Sequence, residues 1–296
     1  MTTQKMENGF YPALGTPVTD EGTLIAGSFI KEIGLMIDAG AKGLLCMGSM
    51  GNMASVRSRE YPEVARQCVE TVRQRLPVMV GVMDCSVSRV RDRIDALGAL
   101  KIDGVVATAP FYYKVNTDGI VQFFTLLAKV SKYPVYIYDL PSVTQSPVTF
   151  GMMKALADVP NIKGIKTANL GLILEMRRSH FGTDDFSVFY SGLDLFDIAM
   201  QCGIGRNLDG MFTCTPVNSR KLDEDADPDN WEVKSTYLKN ILDLRNLFLK
   251  ENVFSAYSYA MELLGCPGNY QSDYDMPVSE KLKGELFHCM KGIGEL

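Results

Sequence analysis

The chain has 296 residues, 46% of them hydrophobic, and its 30 Lys+Arg face 35 Asp+Glu for a formal net charge of −5. That is enough apolar material for a large core, while a mild acidic balance without a Lys/Arg-rich run offers little attraction to phosphate backbones or anionic lipid. Neither nucleic acid nor a membrane is an expected partner. The polar segment Met1 to Gly9 lacks the layout of a signal peptide, and no apolar run approaches the ~20 residues that span a bilayer, so a cytoplasmic location is expected. The seven cysteines (Cys46, Cys68, Cys85, Cys202, Cys214, Cys266, Cys289) are odd in number and lack C-x-x-C spacing. They read as buried thiols rather than as a disulfide framework or a zinc site.

Length alone suggests about two domains of ~150 residues, but a closed α/β barrel takes ~250 residues as one. The pattern along the chain decides. A strand at Phe10 to Leu14 precedes a helix at Phe29 to Ala39, and a strand at Gly43 to Met47 a helix at Glu60 to Arg75. Strand Val78 to Val82 leads to helix Ser88 to Leu100, and Gly104 to Ala107 to helix Gly119 to Ser131. Strand Val135 to Tyr138 is followed by helix Phe150 to Ala157, and Ile162 to Lys166 by helix Leu172 to Ser179. Strand Val188 to Ser191, helix Leu195 to Cys202 and a last strand near Leu208 to Phe212 complete the alternation. The strand runs are apolar on both faces, as expected when a barrel interior covers one face and helices the other. A doubly wound open sheet is the rival, but it would carry a Gly-rich first turn, and Leu14 to Asp20 offers only Gly15 with Pro17. The sequence therefore predicts an α/β fold, a TIM (β/α)8 barrel over 1–221, with a C-terminal helical extension over 222–296. In that extension Leu222 to Asn230, with Pro228, reads as an acidic linker or turn. Helices follow at Trp231 to Lys250 and Phe254 to Leu264, then a turn-rich stretch at Gly265 to Pro277 and a last helix at Ser279 to Lys291.

In such a barrel the chemistry sits at the C-terminal ends of the strands. Those ends carry Gly48-Ser49-Met50-Gly51-Asn52 after the second strand, Pro110-Phe111-Tyr112-Tyr113 after the fourth, Tyr138-Asp139-Leu140-Pro141 after the fifth and Lys166-Thr167 after the sixth. A lysine closing an apolar strand is either solvated at the rim, the commoner outcome and the one expected for Lys163, or drawn into the mouth. Inside, desolvation favours the neutral amine, a nucleophile for carbonyls whose Schiff base is an electron sink. Tyr138 ends the neighbouring strand, so its phenol can reach Lys166 and move protons, although aromatic residues often simply pack at such ends. Ser49 adds a hydroxyl, and Gly48 and Gly51 allow a tight turn whose N–H groups can hold a carboxylate. Asp194, just past Gly192, either binds a polar substrate or caps the next helix, capping being the commoner role. With only His180, placed in a helix, and His288, near the C-terminus, neither a catalytic metal site nor a Ser/His/Asp triad is expected.

These residues carry a family likeness. The opening Pro12-Ala13-Leu14-Gly15-Thr16-Pro17, the loop Gly48 to Asn52, Ala109-Pro110-Phe111-Tyr112-Tyr113, Tyr138-Asp139-Leu140-Pro141-Ser142-Val143-Thr144, Gly164-Ile165-Lys166 and Ser191-Gly192-Leu193-Asp194 resemble the dihydrodipicolinate synthase and N-acetylneuraminate lyase family of pyruvate-handling class I aldolases. The resemblance runs over most of the chain. It implies a Schiff base between Lys166 and the 2-oxo group of pyruvate, with no cofactor and no metal, Tyr138 as acid/base residue, and a carboxylate held by Ser49 and the Met50 backbone. It further implies a proton path through Ser49 to a tyrosine of a neighbouring subunit, Tyr112 by alignment with Tyr113 as second candidate, in a homotetramer built as a dimer of dimers. Gly192, Asp194 and Phe212 complete the expected substrate-binding set.

Three departures from the family pattern stand out. Met50 replaces a hydroxyl residue, Asn52 a glutamate, and Val143 an arginine that recognises the semialdehyde substrate of true dihydrodipicolinate synthases. An isopropyl group cannot reproduce a guanidinium's two-point grip on a carboxylate. The expected activity is a lyase that makes or cuts a C–C bond between pyruvate and an aldehyde, on a 2-oxo-3-deoxy sugar acid or a sialic-acid-like compound. The alternatives are 4-hydroxy-tetrahydrodipicolinate (dihydrodipicolinate) synthesis, a dehydratase using the same Schiff base, and a catalytically silent 2-oxo-acid-binding protein.

Overall fold

A computed structural model describes residues 4–181, 186–224 and 231–296. Its eight strands are β1 (Gly9–Pro12), β2 (Leu44–Cys46), β3 (Val78–Gly81), β4 (Gly104–Thr108), β5 (Val135–Asp139), β6 (Ile162–Thr167), β7 (Ser187–Tyr190) and β8 (Arg206–Asp209). They pair in parallel in the order β1-β8-β7-β6-β5-β4-β3-β2. A parallel bridge between Ala13 and Leu45, where the Leu14 N–H donates to the Leu45 carbonyl at 2.9 Å, brings β1 back against β2. The result is the (β/α)8 barrel expected from the repeat.

The helices are α1 (Ala26–Asp38), α2 (Tyr61–Val72), α3 (Val87–Ala96), α4 (Thr117–Val130), α5 (Pro141–Thr144), α6 (Phe150–Leu156), α7 (Leu170–Arg178), α8 (Phe196–Gln201), α9 (Met211–Cys214), α10 (Pro216–Glu224), α11 (Trp231–Phe248), α12 (Val253–Leu263) and α13 (Glu280–Gly292). Side-chain caps start many of them: Ser86, Asn116, Thr149, Asn169, Asn252 and Ser279 each accept a backbone N–H of the first turn, which satisfies donors that a helix start leaves orphaned. Among the described residues no helix is long and apolar enough to cross a membrane.

Alternation along the strands divides the core in two. Tyr11, Ala13, Leu45, Met79, Val106, Tyr136, Tyr138, Phe189 and Leu208 fill the barrel interior. The intervening residues form a second, larger core with the helices. Edge-to-face contacts of Phe189 with Tyr11 (4.9 Å) and Tyr136 (5.9 Å) plug the interior with aromatic rings.

The structure corrects several boundaries. The last strand ends at Asp209, and Met211 and Phe212 belong to α9, because Asp209 accepts the Met211 N–H at 2.8 Å and the chain turns helical at Gly210. A short, fully buried apolar run does not distinguish strand from helix by periodicity. Leu222 to Glu224 are the end of α10 rather than linker, which also carries that helix across the 221/222 position, while 225–230 of the expected acidic turn lie outside the described residues. His180 lies just past the end of α7, in the left-handed region at φ 48°. All seven cysteines are free, but Cys202 is exposed and Cys85 and Cys289 are only partly covered, so burial holds for the other four.

Candidate active site

Register places the reactive side chains. Thr108 pairs with Tyr138 across β4 and β5, Tyr138 with Lys166 across β5 and β6, and Lys166 with Phe189 across β6 and β7. Thr108 and Tyr138 lie two residues beyond the interior Val106 and Tyr136, and Lys166 is paired between Tyr138 and the interior Phe189, so the row faces inward. Lys166 is 7% exposed, and its Nζ lies 3.8 Å from the centroid of the Tyr138 ring. The amine is inside the mouth. It faces the π cloud, an attractive arrangement for an ammonium, and leaves the phenol oxygen to another partner. That partner is Ser49, whose hydroxyl donates to it over 3.4 Å, near the long limit for such a bond.

Ser49 is delivered by a turn that bends sharply out of β2. Met47 takes φ 58°, and its carbonyl passes so close to Gly81 that a Cβ there would lie 1.9 Å from the oxygen. Only glycine fits beneath this crossing. The Asn52 N–H closes the turn on the Ser49 carbonyl at 3.0 Å, and among the described residues the N–H groups of Met50 and Gly51 have no intrachain acceptor. Two such donors beside a hydroxyl suit a carboxylate. The Met50 side chain lies across the mouth against Gly210, which has no room for a Cβ.

The residues that follow Tyr138 and Lys166 point away from the mouth and hold their strands together. Asp139 and Thr167 are paired in register; the Thr167 hydroxyl donates to Asp139 at 2.7 Å, and the Val148 N–H donates to the other carboxylate oxygen at 2.9 Å. Burial pushes the Asp139 carboxyl up, with both hydrogen bonds opposing. The Tyr-x-x-Pro-x-x-Thr segment forms the short α5, where Thr144 donates to carbonyls of Leu140 and Ser146, and Val143 is left half-exposed.

On the β7 and β8 side the mouth is charged. Asp194 lies in a 3-10 turn, Leu193–Leu195, and instead of capping a helix it pairs through both oxygens with Arg245 of α11, one contact being 3.1 Å. The guanidinium holds the Asp194 carboxyl below its ordinary range. Asp209, closing β8, is pushed up by burial and drawn down by the Met211 N–H and by the positive charges of Lys166 and Arg245.

Lys166, Tyr138 and Ser49 thus lie in contact through the Tyr138 ring and phenol, with Met50 next to Ser49 in the same turn. Tyr112 and Tyr113 stack edge to face at 4.8 Å but are 73% and 77% exposed, outside the mouth of their own chain. Gly192 serves as close packing, with Tyr190 Oη 2.3 Å from where a Cβ would sit. Phe212 does not join the site, because the helical turn after β8 sends it into the outer core, fully buried against Phe10 and Phe196. Sequence pattern does not single out Thr108, Asp209 or Arg245; Thr108, directly after the run Gly104 to Ala107, is the one open to detection. A polar groove of about 530 Å³, lined among others by Thr16, Asn52, Arg57, Ser272 and Asp275, lies beside the β2 turn and includes neither Lys166 nor Tyr138.

The profile of the Dihydrodipicolinate synthetase family matches residues 6–291. The chain is similar to the 4-hydroxy-tetrahydrodipicolinate synthase of Phenylobacterium zucineum (strain HLK1), with 23% identity covering 98% of each chain. Among solved structures, a dihydrodipicolinate synthase from Acinetobacter baumannii complexed with pyruvate superposes with a TM-score of 0.88 at 19% identity, over 99% of this chain and 100% of the other. A prophage protein of the dihydrodipicolinic acid synthase family from E. coli K12, in complex with pyruvate, gives 0.87 at 22% identity over 98% and 99%.

Proposed function

Since the chain belongs to the dihydrodipicolinate synthetase family and is a lyase of that type, we propose that it makes or cuts a C–C bond between pyruvate and an aldehyde through a Schiff base on Lys166. One observation carries this reading: an almost fully buried amine inside the barrel mouth, against the face of the Tyr138 ring. In this reading Lys166 attacks the 2-oxo carbon and water leaves from the carbinolamine. The iminium then holds the electron pair released when the C–C bond breaks, or the enamine supplies the pair that forms it. Tyr138 carries the proton to or from the hydroxyl at the reacting carbon, Ser49 connects its phenol onward, and the pyruvate carboxylate rests on Ser49 and the Met50 N–H. No external cofactor is needed. Tyr112, exposed in the isolated chain, serves the mouth of a neighbouring subunit in a cytoplasmic homotetramer.

The preferred substrate is a 2-oxo-3-deoxy sugar acid or a sialic-acid-like compound, supported by Val143 where a guanidinium would grip a carboxylated acceptor. The second reading, 4-hydroxy-tetrahydrodipicolinate synthesis, is favoured by the names of the relatives. Borohydride reduction in the presence of pyruvate, followed by mass analysis of the peptide containing Lys166, tests the mechanism. The expected result is an adduct on Lys166 that Lys166→Ala abolishes, whereas an unmodified peptide at saturating pyruvate favours a catalytically silent binding protein. Condensation of the semialdehyde by the wild type as efficiently as any sugar-acid reaction would favour the second reading.

A further inference from the structure

Asn52 has no part in the pyruvate chemistry above, yet it closes the turn that carries Ser49 and the Met50 N–H. The Gly51–Asn52 peptide is held on both sides: its carbonyl accepts from Thr16 Oγ1 at 2.8 Å, and its N–H donates to the Ser49 carbonyl at 3.0 Å. Asn52 takes φ 47°, a left-handed conformation that asparagine adopts more readily than most residues. With that peptide fixed, the preceding N–H groups of Met50 and Gly51 are the ones left for a ligand.

The Asn52 side chain reaches away from the barrel. Its Nδ2 donates to Ser272 Oγ at 3.2 Å, and the Ser55 hydroxyl pairs with the same oxygen at 2.8 Å. Ser272 is buried in the turn-rich stretch between α12 and α13, and that stretch is anchored twice. Asp275 accepts the Ser272 N–H at 3.1 Å and the Asn252 amide at 2.8 Å, and Asn252 caps α12. Asn269 exchanges two backbone hydrogen bonds, each 2.9 Å, with Val18 in the loop after β1. A continuous run of hydrogen bonds therefore leads from the start of α12 to the carboxylate turn. On this side Asn52 and Ser55 border the polar groove of about 530 Å³, so hydrogen bonds to Ser272, rather than close packing, hold the turn there. A carboxylate in place of Asn52 would have no proton to donate and would add negative charge to a groove that Asp275 also lines.

We propose that Asn52 and Ser272 are positioning residues for pyruvate, through which the C-terminal extension fixes the turn that holds the substrate carboxylate. The proposal rests on the Lys166 mechanism above and deepens it. It is tested by the borohydride adduct on Lys166, measured against the concentration of pyruvate and of its uncharged analogue methyl pyruvate. The variants are Ser272→Ala and Asn52→Gly, the latter removing the side chain without straining the left-handed backbone. In each, half-saturating pyruvate is expected to rise about three- to tenfold, with the final yield of adduct unchanged, while half-saturating methyl pyruvate stays within about twofold. The double variant is no worse than the weaker of the two, because both substitutions break the same contact. Unchanged pyruvate saturation in either single variant, losses that add in the double variant, or an equal loss with both ketones overturns the inference while the wild-type adduct upholds the mechanism. No adduct in the wild type overturns both.

Discussion

Tyr138 is held by two groups of different chemistry, the Lys166 amine over its ring and the Ser49 hydroxyl at its phenol oxygen. Removing the phenol oxygen takes away the proton carrier but keeps the aromatic face against which the amine rests. Tyr138→Phe is therefore expected to lower kcat by about 10² to 10⁴, with a smaller change in the KM for pyruvate. Ser49→Ala, acting one bond further out, lowers kcat less. Steady-state rates of pyruvate release measure both, and a Tyr138→Phe enzyme within twofold of wild type would remove Tyr138 from the mechanism. Among the described residues the Thr108 hydroxyl, in register with Tyr138, is buried without a hydrogen-bond partner.

At the level of elements, the geometry of that row depends on β5 and β6 keeping their register, and Asp139 with Thr167 is the side-chain pair that fixes it one step beyond Tyr138 and Lys166. Thr167→Val keeps the shape but leaves a buried oxygen of Asp139 without its donor, at a cost of about 1–3 kcal/mol. The expected variant unfolds at lower denaturant and has reduced kcat, and Thr167→Ser recovers both. Equal stability of all three forms would show that the register does not need this pair. These strands were legible because a parallel strand buried on both faces leaves a short apolar run with its reactive residue at the end, as in Gly164-Ile165-Lys166. The end of β8 was not legible, since Met211 and Phe212 continue the apolar run while the backbone turns helical under the Asp209 cap. Helix α10 escaped notice because Pro216 opens it and its residues are mostly polar. Arg245 could not be found from local pattern at all, for only the packing of α11 against the turn after β7 brings it to the mouth.

Across the whole molecule, one buried carboxyl joins the barrel to the helices after it. Glu32 of α1 is fully buried, accepts the Gly15 N–H at 2.7 Å and the Tyr257 hydroxyl of α12 at 3.3 Å, and Tyr257 also bonds Thr213 of α9 at 2.6 Å. Burial pushes the Glu32 carboxyl up from 4.5 to about 8, against the pull of these hydrogen bonds. Between those values the folded chain keeps a proton that the unfolded chain releases. The stabilisation from this group is therefore complete below the unfolded value and is lost as pH rises through the folded one, at about 1.4 kcal/mol per pH unit in between. Glu32→Gln keeps a carbonyl oxygen for the Gly15 and Tyr257 donors and removes the titration. Denaturant unfolding at pH 5.5 and 7.5 is expected to show the variant gaining on the wild type by about 2 kcal/mol between the two conditions. A stability difference that does not change with pH would mean that Glu32 is ionised in the folded protein throughout, with its charge carried by the Gly15 and tyrosine contacts that tie the barrel to α12.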